Sequence, residues 1–325
     1  MSYIPILRTA QAEFSALKSL SKGARKKVIP YLYYRDGKQP TFEEFCNIAS
    51  EYRNFFLEFP DHPDNRSYKD IDNQFSKFKE IKEKWSNVVP VISNVQKVNR
   101  RQLIQHGIKL LKTFDKIGVR IRVDNKYDMY IAMAIYDFSQ NPANLTVFVD
   151  FGRLSSKEDI LSKFPFYIES FGESEVVFTG TVWGEDQTEF NKNEVTKVDN
   201  YLYLAWSEMR EKPKYYSDTL TDNLNSVISS LEKFPFKIIP YFKWTSMDGC
   251  DFLVIRAEES KASLAKKIAF ILQSSYPDYF HQDNCEGCKE ISEIADEGSE
   301  KKSNPMTRKK MSFIHHMEVI TSVLS

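Results

Sequence analysis

Residues 119–124 read VRIRVD and residues 145–152 read LTVFVDFG. Their side chains alternate in character, the period of a β-strand whose two faces meet different surroundings. Val119, Ile121 and Val123 make an apolar face for helices to cover, which turns Arg120, Arg122 and Asp124 the other way. The same parity sends Thr146, Phe148 and Asp150 to that second face, and in EVVFTGTV (175–182) it sends Thr179 and Thr181. A sheet with helices on one side and mixed polar groups on the other is what a closed ring of strands provides.

The neighbouring chain extends the pattern in both directions. Strand-like runs occur at YIPILR (3–8), IPYLYYR (29–35), FFLEFP (55–60) and VVPVIS (88–93), and again at KYYSDT (214–219). Between them lie amphipathic segments of helical period, among them TFEEFCNIASEYR, where Thr41 caps and Glu44 stands three residues on. EVTKVDNYLYLAWSEMR (194–210) reads as the helix before the eighth strand. Eight such units in about 220 residues fit a closed barrel better than an open doubly wound sheet. No Gly-x-Gly-x-x-Gly or Walker loop follows any strand, which removes the main reason to prefer the open sheet. The fold class predicted is α/β, a (β/α)8 TIM-barrel-like domain over 1–222. A C-terminal extension over 223–325 packs on it as part of one unit. It carries a hairpin turning at Asp248-Gly249, a helix, a Cys/His segment, a charged loop at ADEGSEKKSNPMTRKK, and MSFIHHMEVITSVL as a closing strand.

Composition narrows the class. Of 325 residues 42% are hydrophobic and 14% aromatic, which describes a globular chain. Lys plus Arg number 45 and Asp plus Glu 45, so no net field draws the molecule to nucleic acid or membrane. Clusters such as YLYY (31–34) and YLYLAW (201–206) read as core before they read as base-stacking platforms. The opening residues lack a basic leader with a long apolar run, and no stretch is long enough to span a membrane. Four cysteines, two of them isolated (Cys46 and Cys250), argue against a disulfide framework. The expectation is a cytoplasmic protein of a reducing compartment.

Barrel function gathers where strands reach their C-terminal ends. Ile4, Ile6 and Arg8 share the inward face of the first strand, with Arg8 at the rim; Glu58 lies late in the third and Asp218 ends the eighth. Arginines there could clamp a phosphate or carboxylate. Asp124, Asp150 and Asp218 could hold Mg²⁺ or work as acid and base in a metal-assisted phosphodiester hydrolase. The competing expectation is that these charges neutralise one another inside the barrel.

HQDNCEGCKEI (281–291) offers a second chemistry. Cys285 and Cys288 are half of a structural zinc site, and His281, or one of His315 and His316, could complete it. Adjacent residues of a strand point apart, so the two last histidines could not easily share one metal. A redox pair is the weaker reading, because Asp283, Glu286 and Glu290 would raise the thiol pKa. A histidine pair at the rim, as acid/base or anion contact, is a separate alternative.

YIPILRTAQAEFSALKSL resembles the opening of the beta protein family of phages, satellite prophages and bacteria. Asp218 in YYSDT, FKWT (242–245), Arg256 in FLVIRAE, Asn304, Arg308 and His315-His316 extend the likeness over most of the chain. The family more often has Gly-Asp-Tyr at Ser217-Asp218-Thr219 and Arg-Tyr-Thr at Lys243-Trp244-Thr245. The resemblance implies a barrel-like α/β protein linked to anti-phage defence and mobile elements, and brings no settled reaction. It adds Lys243 and Arg256 to Thr179, Thr181, His315 and His316 as ligand-binding candidates. The partner expected is a phosphorylated or nucleotide-like ligand, or a defence protein encoded alongside.

Overall fold

A computed structural model describes residues 1–35, 40–60, 70–92, 98–184, 189–209, 212–221, 223–224, 239–259, 262–280, 285–296 and 303–324. Strands and helices alternate from the start: β1 (Ser2–Arg8), α1 (Gln11–Ser19), α2 (Lys22–Lys27), β2 (Tyr31–Tyr33), α3 (Phe42–Ser50) and β3 (Phe55–Glu58). There follow α4 (Ile71–Lys84), β4 (Val88–Ile92), α5 (Arg100–Leu111), β5 (Ile117–Arg122), α6 (Lys126–Phe138) and β6 (Leu145–Arg153). Two short helices, α7 (Glu158–Leu161) and α8 (Phe164–Ser170), lead to β7 (Glu175–Thr181). Next come β8 (Val195–Asp199), α9 (Tyr201–Glu208) and β9 (Tyr215–Asp218). The remainder is β10 (Tyr241–Thr245), β11 (Asp251–Arg256), α10 (Ala262–Ser275), α11 (Glu286–Ala295) and α12 (Pro305–Val323).

Eight strands form one parallel sheet in the order β7-β6-β5-β4-β3-β2-β1-β9. Its ends approach each other, so the sheet nearly closes into the TIM-barrel-like ring expected. Across that seam the Tyr215 hydroxyl donates to Glu175 Oε1 at 3.1 Å and Lys214 Nζ to the same oxygen at 2.6 Å. Side-chain parity divides the core in two. Val119, Ile121, Val147 and Val149 join the outer layer under the helices, while Ile4, Ile6, Tyr31, Phe56, Phe148 and Val177 fill the barrel.

Two segments differ from expectation. Residues 195–199 are not helical: β8 pairs antiparallel with β11, from Asp199 opposite Asp251 to Val195 opposite Ile255, in a second sheet of order β10-β11-β8. Val195, Lys197 and Asp199 alternate with the more covered Thr196 and Val198, the pattern of an edge strand, and Asn200 caps the helix that follows. The chain's last segment is the helix α12, not a strand. Asn304 caps it by accepting from Thr307 N–H at 2.8 Å and Pro305 occupies its first turn, so the charged loop ends six residues short of where the sequence placed it. Residues 311–321 are buried without a break, so no polar stripe betrays the helical period. Among the described residues no helix is long and apolar enough to cross a membrane.

Candidate functional site

The barrel axis carries a charged layer above the hydrocarbon. Arg120 donates through Nε to Asp150 Oδ2 at 3.0 Å and through Nη1 to Glu58 Oε2 at 3.1 Å. The Tyr31 hydroxyl donates to the same Glu58 oxygen at 2.6 Å, and the Tyr33 ring lies 5.2 Å from the guanidinium carbon. Burial acts against the Arg120 charge, but Glu58 and Asp150 outweigh it and hold the guanidinium more firmly protonated than usual. Burial, and then Glu58, push the Tyr31 hydroxyl well up. Asp150 also accepts from Gly152 N–H at 2.9 Å. This layer is a neutralising network of the kind the sequence left as the competing expectation. Leu224 packs on the barrel's inner cluster, and Trp183, in a separate cluster with Phe190 and Phe252, donates to Leu220 O at 3.1 Å.

The three candidate acids do not meet. Asp150 belongs to Arg120; Asp124 lies exposed beyond the end of β5. Asp218 faces outward, sharing its parity with Tyr216, which belongs to the outer core. It accepts from the Tyr3 hydroxyl at 2.5 Å, from Leu220 N–H at 2.9 Å and from His316 Nε2 at 2.9 Å. His316 Nδ1 lies 2.8 Å from Thr245 Oγ1. Burial alone would raise the Asp218 carboxyl, yet His316, Tyr3 and Leu220 together hold it below the usual carboxylate range. Hydroxyl, imidazole and carboxylate thus line up as a nucleophile, base and orienting acid would. Thr245 and His316 are 0% exposed, so no substrate reaches the hydroxyl, and the row ties α12 to β9 and β10.

Arg122 turns from the axis to Asp128, at 2.8 Å, and is half exposed. Thr179 is fully buried with an unpartnered hydroxyl, and Thr181 accepts from Trp183 N–H at 3.2 Å. Arg256 donates to Phe190 O. His315 and His316 diverge, as expected, but for a different reason: neighbours on a helix are turned about 100° apart. His315 meets the thiols, with Nδ1 3.2 Å from Cys288 Sγ and 3.7 Å from Cys285 Sγ, so of the two histidines offered it is His315, not His316, that joins the cysteines. His281 lies outside the described residues. Cys285, Cys288 and His315 are buried together, and their ligand atoms lie within 4.8 Å of one another, close enough to hold a metal ion. The Cys288 thiol and then burial push the Cys285 thiol well up, which disfavours redox chemistry.

A second convergence lies where β1 and β9 end against α12. Arg8 Nε and Lys309 Nζ approach Glu13 Oε1 at 3.4 and 3.7 Å. Beside them a niche of about 20 Å³ is lined by Thr221, Tyr241, Lys243, Arg308, Lys309 and Ser312. That is room for about one water-sized group. Lys243 Nζ sits 3.8 Å from the centre of the Trp183 ring. Arg308 is 5% exposed; Nη1 donates to Ser303 O at 3.0 Å, and its Nε is buried with no partner. Burial lowers its pKa, and Tyr241 only partly opposes this.

A family model described as Beta protein matches residues 3–321. The chain belongs to the beta protein family. Among curated proteins no sequence matches it. In this beta-family chain, Lys243 and Arg308 line the niche, and Asp218 with His316 ties β9 to α12. Ser312, Tyr241 and Lys309 escaped the sequence reading. The sequence put Lys309 in the charged loop and Ser312 on a closing strand, and only the Asn304-Pro305 cap could have shown that Arg308 and Ser312 share a helix face.

Proposed function

We propose that this beta-family protein binds a phosphorylated or nucleotide-like ligand at the C-terminal rim of its barrel, and acts through it in defence against phage or in competition between mobile elements. Arg308 carries the reading. A guanidinium buried with an unpartnered Nε, held by a carbonyl instead of a carboxylate, is costly unless an anion completes it. Lys243, Lys309, Thr221 and Ser312 supply the cations and hydroxyls that phosphate oxygens require. The niche admits a single oxygen-sized group, so the anion would seat one oxygen there with the rest of the ligand outside. Catalysis is not part of the proposal, since Asp124, Asp150 and Asp218 stand apart.

The test is thermal stabilisation and calorimetric titration of the purified protein with inorganic phosphate, pyrophosphate and nucleoside mono- to triphosphates at low salt. Arg308→Gln is expected to weaken the best of these at least about tenfold, the loss of one charge-assisted contact. If none of the anions binds the wild type, or Arg308→Gln binds equally well, the reading fails.

A further inference from the structure

We propose that Cys285, Cys288 and His315 are the protein ligands of a tetrahedral zinc ion that seats α12 on α11 and β10. Two thiolates and an imidazole are the donors that select zinc among the common divalent ions. With Zn–S near 2.3 Å and Zn–N near 2.0–2.1 Å, a tetrahedron puts sulfur and nitrogen about 3.6 Å apart. The two distances here are 3.2 and 3.7 Å.

The surroundings fix the ring for ligation. His315 Nε2 lies 2.7 Å from Thr245 O. A carbonyl only accepts, so Nε2 carries the proton and the Nδ1 lone pair faces both sulfurs. That is the outer-shell arrangement by which proteins orient a metal-bound histidine. Trp244 stacks on the ring at 4.5 Å and 14°, and closes that side. One lone pair accepts one S–H; an ion between the three atoms is bound by all of them. Ligation sends two thiol protons to solvent, and the two thiolate charges cancel the ion's, which suits donors this buried.

The Cys-x-x-Cys turn is shaped to match. Cys285 caps α11, and its Sγ accepts from Cys288 N–H at 3.4 Å. Between the cysteines, a Cβ on Gly287 would fall 2.5 Å from Met311 O, so the turn lies against α12 one helical turn before His315. Among the described residues the group has three members, which leaves one position of the tetrahedron to water or another donor. The centre does not depend on what the rim niche binds.

Full-length protein purified under reductant and without chelator should contain about one zinc per chain. Cobalt(II) added to the metal-free wild type should give the near-ultraviolet thiolate charge-transfer bands and strong visible bands of a tetrahedral site. Cys288→Ser and His315→Gln should each lose most of the zinc. Because either variant could fail to fold, the cobalt titration of the wild type decides alone. Folded wild type that binds neither ion, or a cobalt spectrum without thiolate bands, overturns the proposal.

Discussion

His316 and Asp218, separated by 98 residues, meet at 2.9 Å with both side chains buried. Asp218 only accepts, so His316 Nε2 carries a proton towards it, while the Tyr3 hydroxyl donates to the other oxygen. Three distant parts of the chain are joined at one carboxylate.

Removing the imidazole should leave that carboxylate short of a partner where water cannot replace it. His316→Ala is expected to cost about 3–5 kcal/mol, read as a lower urea midpoint with an unchanged slope. A loss under about 1 kcal/mol would show that the pair contributes little net stability.

The same carboxylate sets an acid limit. Its folded pKa lies below the ordinary value, so its contribution is complete above about pH 4 and is lost as pH falls through the folded value. Asp218→Asn should therefore be less stable at neutral pH and flatter below pH 4. A mutant that tracks the wild type throughout that range would contradict this.

His106 predicts a separate window. Both ring nitrogens are buried without partners, and burial, followed by Lys109, lowers its pKa to about 4. The unfolded chain takes up this proton near pH 6.5, so stability should fall from there to about pH 4, by about 3 kcal/mol. His106→Leu should remove that slope and leave the Asp218 limb intact. Melting curves across the two windows distinguish the residues.

Arg120 holds two carboxylates. Arg120→Met should destabilise by several kcal/mol, of the order of 3–5, because Glu58 and Asp150 are left facing each other. Adding Glu58→Gln and Asp150→Asn should restore part of the loss. Failure of the triple variant to recover anything would mean that Arg120 acts by packing, for instance on Tyr33.

Gly287→Ala tests how closely α11 meets α12. The added methyl would crowd Met311 O, a backbone atom that cannot turn aside. A loss of about 1–3 kcal/mol is expected. Unchanged stability would show that the turn moves freely.

The barrel was legible because its strands have two chemically different faces. Val119 and Arg120 cannot exchange sides without burying a guanidinium under helices, so parity survived into the structure. The site was less legible. Asp218 follows the same alternation, yet its outward face is polar because α12 brings His316 to it, and nothing local announces so distant a partner. α12 itself was misread because burial on all sides erases the helical stripe, leaving the Asn304-Pro305 cap as the only local signal. The thiols were recognisable by spacing, but which histidine joins them depends on the helix rotation.

The junction of Tyr3, Asp218 and His316 bears on how the protein is made. During synthesis the first strand leaves the ribosome long before the helix that completes its environment. All eight barrel strands can emerge while Asp218 still lacks its imidazole, so this junction cannot close until α12 arrives. Nascent chains stalled with α12 still inside the ribosome should be readily cut by protease, and those that carry α12 outside it on an added C-terminal linker should resist.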